Sequence, residues 1–321
     1  MTPVREIHVA VGVVFRDGKV LIARRPDHAH QGGLLEFPGG KVEAGETVQQ
    51  ALVREIREET GLRINLNLLE PVIGVRHDYG DKRVFLDVWE TSSSEGDPEG
   101  REGQAIQWLD VQDLADVDFP AANRPIIRAL KLPCRYAITG SAGDPSAFPE
   151  QLRQRLLETR PQMCLFRAPG LSDEVYERLA GWSLEACRAS DSLLMLHGAP
   201  PLLECLPQAT GLHLPWREAR QFSSRPIPEG YLLAISCHDE EEIAHAEQLQ
   251  ADFITLGPVK PTSSHPGAPG IGWERFQELV AGAAIPVYAL GGLVPDDILA
   301  ARQAGAQGIA GIGFWWSGNG Y

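Results

Sequence analysis

Residues 40–62 read GKVEAGETVQQALVREIREETGL, and this stretch decides the fold of the first part of the chain. If residues 47–60 form a helix, Glu55, Glu58 and Glu59 share one face, because side chains three and four positions apart are neighbours on a helix. Val48, Ala51 and Leu52 lie on that face in the earlier turns, so an apolar stripe becomes acidic. Gly61 is typical of the residue that ends a helix.

The acidic face of this helix indicates a metal site. Clustered carboxylates repel one another, and a bound cation relieves that repulsion. Ligands that are all oxygen suit Mg²⁺ or Mn²⁺, which then clamp a substrate phosphate. A solvated surface helix is the alternative for REIREET taken by itself. The full spacing of glycine, acidic and aliphatic positions is too specific for that alternative.

The length and composition of the chain indicate a globular protein with two domains. The chain has 321 residues, 43% hydrophobic and 22% charged, with a net charge of -14. This negative charge argues against nonspecific binding to nucleic acid or anionic membranes. No apolar run approaches a membrane span, and no signal-peptide core follows Met1. The five cysteines form no CxxC pair, so we expect reduced thiols and a cytoplasmic location.

The first domain is predicted to cover residues 1–131 with an α+β sandwich. Residues 8–15 and 20–25 are strand-like and flank an Asp17-Gly18 hairpin signal. A second strand pair, 72–77 and 84–89, surrounds a turn at 78–81. Strand 107–109 and a helix over 123–130 follow. This order predicts the acidic helix packed on a mixed sheet.

The acidic stretch is the Nudix box, and the chain resembles Nudix hydrolases of the MutT type, which remove 8-oxo-dGTP from the nucleotide pool. The resemblance extends over nearly the whole first domain through IHVAVGVVF (7–15), IARR (22–25), LLEFPGGKVEAGET (34–47), EGDPEGREGQ (95–104) and DFPAANRPII (118–127). It implies a small-molecule nucleotide substrate and a divalent metal, Mg²⁺ or Mn²⁺.

The resemblance also implies the site residues. The metal is expected on Glu55, Glu58 and Glu59, on a carbonyl of Gly39 or Gly40, and on Glu102. For Glu102 the alternative is equally supported: it is one more acid in a solvated loop. The expected catalytic residues are Glu55, which takes the proton of the attacking water, Glu58, and Arg54, which orients a box glutamate. Attack at the β-phosphorus then gives a nucleoside monophosphate and pyrophosphate.

Nucleotide contacts are implied at a further set of positions. Asn123 matches the residue that reads the oxidised guanine; its alternative role is the N-cap of the helix that begins near Pro125. Lys82 stands where the subgroup has arginine, which weakens that contact if the side chain makes it. The remaining positions are Arg25, His30, Glu36, Phe37, Pro38 and Gly39.

The second domain, residues 134–321, changes to short apolar runs that alternate with amphipathic stretches. Eight strand candidates in this length predict a compact (β/α)₈ TIM-type barrel. No full eighth helix fits after the last strand, where GFWWSGNGY (313–321) is a candidate plug. The linker, residues 131–133, is short.

From Gly211 onward this domain resembles thiamine-phosphate synthase and its TenI-type relatives. The likeness rests on GLHLP (211–215), AISCHDEEEIAHAEQLQADFITLGPVKPTSS (234–264), GIGWERF (270–276), IPVYALGGL (285–293) and AGAQGIAGI (304–312). It implies a phosphate pocket from backbone at strands seven and eight. The pocket residues are expected to be Gly291, Gly292, Gly311, Gly313, Thr262 and Ser264.

Departures from the synthase pattern predict that the barrel has no synthase activity. His197-Gly198 replaces a metal-binding Asn-Asp pair, and residues 215–218 read PWRE instead of Gly-Gln-x-Asp. His265 stands in place of the phosphate lysine, and Arg167 is what remains of an early basic segment. These losses remove the neutralisation of pyrophosphate. His238 is retained, either as an acid or base or as a hydrogen-bonded structural histidine.

Three functional hypotheses follow. The first is a Mg²⁺-dependent 8-oxo-dGTP diphosphatase with a divergent barrel attached. The second is a Nudix hydrolase of thiamine-related or damaged-cofactor diphosphates. In the third, the barrel is a ligand-binding or interaction module that regulates or locates the hydrolase, with a phosphorylated ligand in its pocket. Asn123 and Arg25 favour the first reading, and the glycine pocket keeps the others open.

Overall fold

The computed structural model describes residues 6–25, 32–78, 80, 82–262 and 269–316. The chain divides into two compact units, Met1–Leu132 and Pro133–Tyr321. In the described part of the chain, no helix is long and apolar enough to cross a membrane. All five cysteines are free thiols; Cys164, Cys187 and Cys237 are buried, whereas Cys205 is exposed.

The first unit is a mixed sheet with a helix on each face. Its strands are β1 Glu6–Arg16, β2 Lys19–Arg24, β3 Leu35–Glu36, β4 Gly39–Lys41, β5 Arg63–Ile64, β6 Glu70–Asp78, β7 Arg83–Thr91, β8 Ser94–Glu95 and β9 Ile106–Asp110. Its helices are α1 Val48–Thr60 and α2 Arg124–Lys131, with 3₁₀ turns at Leu66–Leu68, Val111–Asp116 and Ala121–Asn123.

The sheet order is β3-β2-β1-β7-β6, with β4 paired to β1 and β9 paired to β2. β1 and β7 run parallel, whereas β1 is antiparallel to β2 and β4. Side chains alternate between the faces of a strand, so Ala10 and Val14 pack under α1, while Val11 and Val13 pack with α2 residues. The predicted α+β sandwich with a mixed sheet is confirmed.

The first hairpin forms as its sequence predicts. Asp17 and Gly18 have φ values of 52° and 78°, the left-handed conformation that a two-residue hairpin turn needs at both positions. In the second predicted turn, Tyr79 and Asp81 lie outside the described residues.

The second unit is a closed barrel of parallel strands, β10 Arg135–Ile138, β11 Met163–Phe166, β12 Leu193–His197, β13 Gly211–Leu214, β14 Leu232–Cys237, β15 Phe253–Leu256, β16 Val287–Leu290 and β17 Gly308–Gly311. Between them lie α3 Phe148–Thr159, α4 Asp173–Arg188, α5 Leu202–Cys205, α6 Trp216–Ala219, α7 Glu240–Gln248, α8 Gly272–Val280 and α9 Ile298–Gln303, the last preceded by a 3₁₀ turn at Pro295–Asp297. The predicted TIM-type barrel is confirmed.

The place of an eighth helix holds an aromatic turn in the described part of the chain. Trp315 is 2% exposed, and its indole N–H donates to the carbonyl of Ile138 at 2.8 Å. The ring of Trp316 lies 5.1 Å from that of Phe148 on α3. The two tryptophans therefore cover the seam where β17 meets β10.

Candidate active site

Local sequence signals fix both ends of the box helix α1. The Thr47 hydroxyl accepts from the backbone N–H of Gln50, and the Gln50 side chain accepts from the N–H of Thr47, which makes a capping box. Gly61 ends the helix with φ 74°. These ends set the rotation of the helix, and Ala51, Leu52 and Ile56 are buried against the sheet.

The rotation of α1 separates the three box glutamates. Glu55 and Glu59 lie at the edge of the buried face and are partly buried, whereas the side chain of Glu58 is 58% exposed. The predicted single acidic face is therefore divided between an inner pair and an outer member. The inner pair borders strand β4, through Gly39 and Gly40.

Arg54 joins the box carboxylates. Its guanidinium donates to Glu46 at 2.6 and 3.3 Å, to Glu55 at 2.7 Å and to Glu58 at 3.3 Å. It also donates to the carbonyl of Lys41 at 3.1 Å. Hydrogen bonds from Glu46 and Glu55 raise the pKa of Arg54 above its usual value. In this arrangement the guanidinium of Arg54 lies against Glu55. Its role in orienting a box glutamate during hydrolysis stays a prediction.

Glu59 is the most perturbed carboxyl group of the site. Burial raises its pKa to about 8, and the charges of Glu36, Glu55 and Glu102 act in the same direction. The N–H of Gly39 donates to Glu59 Oε2 at 3.0 Å and opposes the shift. Four carboxyl groups from the helix, strand β3 and the 95–104 loop thus lie within electrostatic reach of one another.

Strand β4 approaches the glutamates closely because it carries two glycines. A Cβ on Gly40 would stand 2.2 Å from the carboxyl carbon of Glu55, and a Cβ on Gly39 would stand 2.1 Å from the carbonyl oxygen of Ala10. Gly39 also has φ 152°. These contacts allow the carboxylate of Glu55 to lie directly against the backbone of the strand.

A side chain that the sequence did not single out holds the loop of Glu102. Gln104 accepts from the N–H of Glu102 at 2.8 Å and donates to the carbonyl of Glu59 at 3.1 Å. The N–H of Arg101 donates to the same carbonyl at 2.9 Å. The sequence signal for Gln104 is its place in the REGQ motif, in which the sequence analysis identified only the acid, Glu102, as a candidate.

The donor set fits a divalent cation in its chemistry. The groups are hard oxygens. Burial first, and then the charges of Glu36, Glu55 and Glu102, raise the pKa of Glu59, and a cation would offset both effects. Within the described ranges, no three His, Cys, Asp or Glu side chains converge in a metal-binding geometry. Arg54 instead occupies Glu55 and Glu58.

Of the expected nucleotide contacts, Phe37 packs in the core on the α2 side of the sheet. Arg25 and Glu36 form an ion pair, and the ring of Phe37 stacks on Phe119 at 5.4 Å. The carbonyl of Pro38 accepts from the N–H of Gly12 at 2.8 Å. Lys82 is partly buried and directly precedes β7, and His30 lies outside the described residues.

Asn123 is not the helix cap that was its alternative role. Its backbone is already helical, with φ -86° and ψ -14°, and its side chain makes no capping hydrogen bond to α2. An N-cap residue needs an extended backbone to turn its side chain onto the helix N–H groups. Asn123 is 9% exposed, so the residue is mostly buried without that structural purpose.

The barrel glycines have a packing reason of their own. Gly291 and Gly292 have φ values of 102° and 64°, and added Cβ atoms would lie 2.6 Å from Pro258 and 2.4 Å from the carbonyl oxygen of Pro261. A Cβ on Gly311 would meet only Phe314, at 3.3 Å. Gly313 is part of the final turn, Thr262 is partly buried, and Ser264 and His265 lie outside the described residues.

His238 is placed at the surface of the barrel. Its Nδ1 lies 2.7 Å from Glu242 on α7, and its side chain is 56% exposed. This contact fits the structural role better than the acid or base role. The interior histidine is instead His213, which is 2% exposed. The sequence analysis did not single out His213, although it lies in the quoted GLHLP motif.

Comparisons with known proteins divide the chain in the same way. The NUDIX domain profile matches residues 10–129. An 8-oxo-dGTP diphosphatase of Escherichia coli (strain K12) is 39% identical over 129 residues, which cover 40% of this chain and 98% of that protein. A CTP pyrophosphohydrolase of the same organism is 35% identical over 123 residues, covering 38% of this chain and 90% of that protein.

The second unit has its own relatives. The Thiamine monophosphate synthase profile matches residues 135–313. An Aquifex aeolicus (strain VF5) protein, provisionally named thiamine-phosphate synthase 2, is 33% identical over 183 residues, covering 57% of this chain and 97% of that protein. The chain therefore belongs to the Nudix hydrolase family through its first unit and to the thiamine monophosphate synthase family through its second.

Proposed function

We propose that the first unit is a Mg²⁺-dependent nucleoside triphosphate pyrophosphohydrolase whose substrate is 8-oxo-dGTP. The observation that carries the proposal is the group formed by Glu55 and Glu59 against the Gly39-Gly40 strand. There burial and neighbouring acids raise the pKa of Glu59 to about 8. Such a site gains most from a divalent cation and a polyphosphate that arrive together.

The residues of the site divide the work of hydrolysis. Glu55, Glu58, Glu59 and Glu102, with a carbonyl of Gly39 or Gly40, would hold the metal. A divalent ion there would neutralise the phosphate oxygens and lower the pKa of a water.

Glu55 takes the proton of the attacking water, whose oxygen bonds to the β-phosphorus. The bond from that phosphorus to the α–β bridging oxygen breaks, which releases nucleoside monophosphate and pyrophosphate. Arg54 keeps Glu55 in place through the 2.7 Å hydrogen bond.

Base recognition is assigned to Asn123 and the residues around it. Its amide does not cap α2, and an amide can both donate to and accept from a purine edge. A site that pairs its polar groups with one base leaves them unpaired with another. The two Escherichia coli relatives are named for different nucleotides, so the choice between oxidised purine and cytosine is the test of this assignment.

A substrate panel tests the proposal. With Mg²⁺ present, we expect 8-oxo-dGTP to be hydrolysed with a higher kcat/KM than dGTP, CTP or thiamine diphosphate. Glu55→Gln and Glu59→Gln keep size but remove charge, and each should lower kcat at least about a hundredfold. Glu95→Gln removes the charge of a side chain that is 78% exposed and is the matched control. Near-normal turnover by both box variants would show that the box is not the active site.

One other substrate class has a specific observation behind it. The second unit belongs to the thiamine monophosphate synthase family, so the Nudix site could serve diphosphates of thiamine-related or damaged cofactors. A preference for thiamine diphosphate in the same panel would support this function and reject the first. If neither class is hydrolysed but ligands of the barrel alter turnover of another nucleotide, the barrel is a regulatory module.

A further inference from the structure

The last turn of the box helix α1 ends against the loop of residues 99–104. The backbone N–H groups of Glu99 and Arg101 donate to the carbonyls of Thr60 and Glu59, each at 2.9 Å. The final carbonyl groups of a helix have no partner inside the helix and need one outside it. Because the loop supplies these partners, its backbone is fixed relative to the helix that carries Glu59.

The side chain of Arg101 strengthens the junction between the loop and α1. Its guanidinium donates to the carbonyl of Arg57 at 3.2 Å. It also lies close to Gly61, where an added Cβ would stand 2.8 Å from guanidinium nitrogens. A cation is favourable at this end of a helix because the helix dipole is negative there. The absent side chain of Gly61 therefore lets the loop approach the helix.

The side chain of Gln104 joins the loop to the helix at one more point. Its amide oxygen accepts from the N–H of Glu102 at 2.8 Å, and its amide nitrogen donates to the carbonyl of Glu59 at 3.1 Å. The turn between them is tight, since a Cβ on Gly100 would stand 1.8 Å from the backbone oxygen of Gln104. An amide side chain carries both a donor and an acceptor, so Gln104 connects the backbones of two acidic residues.

Glu102 depends on its backbone for its position. The residue is exposed, and in the part of the chain that the structure describes no hydrogen bond or ion pair holds its carboxylate. Burial is the largest cause of the raised pKa values of Glu36 and Glu59, and the charge of Glu102 adds to both shifts. Holding a third acid near two others is unfavourable. The contact with Gln104 opposes the movement of Glu102 away from them.

We propose that Gln104 is a positioning residue of the hydrolase, which fixes the backbone of Glu102 relative to α1 so that Glu102 and Glu59 act together on the divalent cation. In this role Gln104 touches neither the cation nor the substrate. The inference rests on the function proposed for the first unit, because it needs a metal at the box glutamates. It favours the metal role of Glu102, since an acid of a solvated loop needs no such connection.

Loss of the Gln104 amide should weaken metal binding rather than nucleotide binding. The N–H of Glu102 would then bond to water, and repulsion would favour movement of its carboxylate away from Glu36 and Glu59. Residues that hold metal ligands in place contribute about ten- to a hundredfold to metal affinity. An excess of metal should compensate for the loss, because every group that contacts the nucleotide is still present.

Binding of Mn²⁺ to the full chain without nucleotide tests the proposal apart from activity. The free ion is measured by its electron paramagnetic resonance signal. Gln104→Met keeps the length of the side chain but removes its donor and its acceptor, and we expect it to weaken Mn²⁺ affinity about tenfold or more. Gln107→Met makes the same exchange at an exposed position of β9. It is the matched control and should bind Mn²⁺ as the wild type does.

A double-mutant cycle shows whether Gln104 acts through Glu102. Glu102→Gln should weaken Mn²⁺ affinity by itself, because it removes a charged oxygen ligand. Adding Gln104→Met should then weaken the affinity by less than about twofold more, since residues that act as one unit are not additive. A purely structural role of Gln104 would give the same loss with and without Glu102.

Hydrolysis provides a second readout. At low Mg²⁺, Gln104→Met should lower kcat/KM about tenfold or more. Saturating Mg²⁺ should restore kcat to within about threefold of the wild type, with KM for the nucleotide unchanged. Circular dichroism reports whether each variant is folded. Gln104→Asn, whose amide is one methylene too short to reach both partners, replaces Gln104→Met if that variant is unfolded, and the same losses are expected.

Wild-type Mn²⁺ affinity in the Gln104 variant, or an equal loss in the Glu102→Gln background, would overturn the positioning role. A loss of kcat that saturating Mg²⁺ does not restore would also overturn it. If Glu55→Gln and Glu59→Gln kept wild-type Mn²⁺ affinity, the proposed metal site would fail and this role with it. A loss of affinity in those two variants but not in the Gln104 variant would reject the role of Gln104 alone.

Discussion

The most direct test of the site geometry is Gly40→Ala, which adds a single methyl group. Gly40 has no positive φ, so alanine fits its backbone, and the atoms nearest to the added Cβ are those of the Glu55 carboxyl group, at 2.2 Å. Ordinary van der Waals contact begins at 3.4 Å. The carboxylate must therefore move by about 1 Å, and a misplacement of that size costs on the order of a hundredfold in rate.

The assay compares kcat, KM and thermal stability at saturating Mg²⁺. We expect kcat to fall about a hundredfold, with a small change in Tm, because the displaced group is a polar side chain at the edge of the core. Gly74→Ala is the control. It lies on β6 of the same sheet without a positive φ, and its Cβ would meet the ring of Phe85 at 2.9 Å.

Near-normal kcat in Gly40→Ala would refute the reasoning, since it would show that turnover tolerates a displaced Glu55. A large fall in Tm without a fall in kcat would point instead to a purely structural role for this close approach. If Gly74→Ala lost as much activity as Gly40→Ala, the effect would belong to the sheet as a whole.

Three further results are expected. Because the folded pKa of Glu59 is raised to about 8, metal competes with a proton there. The apparent Mg²⁺ affinity, measured from the Mg²⁺ dependence of kcat/KM, should rise as pH increases from about 6.5 towards about 8.5, and a flat profile would contradict the site. Asn123→Ala should raise KM for 8-oxo-dGTP and shrink its advantage over dGTP; an unchanged ratio would remove the main support for this substrate. The full chain should form no thiamine phosphate, and complementation of a strain that lacks the synthase would show the contrary.

The elements that the sequence predicts well are those with local signals. Thr47, Gln50 and Gly61 terminate α1 through contacts within a few residues, so its bounds agree with the expected 47–60. The barrel follows from apolar runs whose spacing does not depend on distant partners. In both cases the physical cause lies inside the segment that was interpreted.

The rest depends on residues that are far apart in the chain. Gln104 reaches Glu59 across 45 positions, and Tyr136 reaches His213 across 77. No periodicity encodes such pairs. The N-cap role considered for Asn123 was wrong because it depends on the structure of the residues before it. The preceding 3₁₀ turn, Ala121–Asn123, makes its backbone helical one residue too early for capping.

The aromatic turn with Trp315 and Trp316 has a consequence for how the two units fold during synthesis. β17 and Trp315 complete the barrel by bonding to β10 and Ile138, the first strand of that unit. The first unit has all its strands and helices once residue 132 has left the ribosome. It can fold at once, while the barrel waits with two open sheet edges until its last turn is synthesised. Premature termination within residues 308–316 should therefore release a folded Nudix unit joined to an unclosed, protease-sensitive barrel.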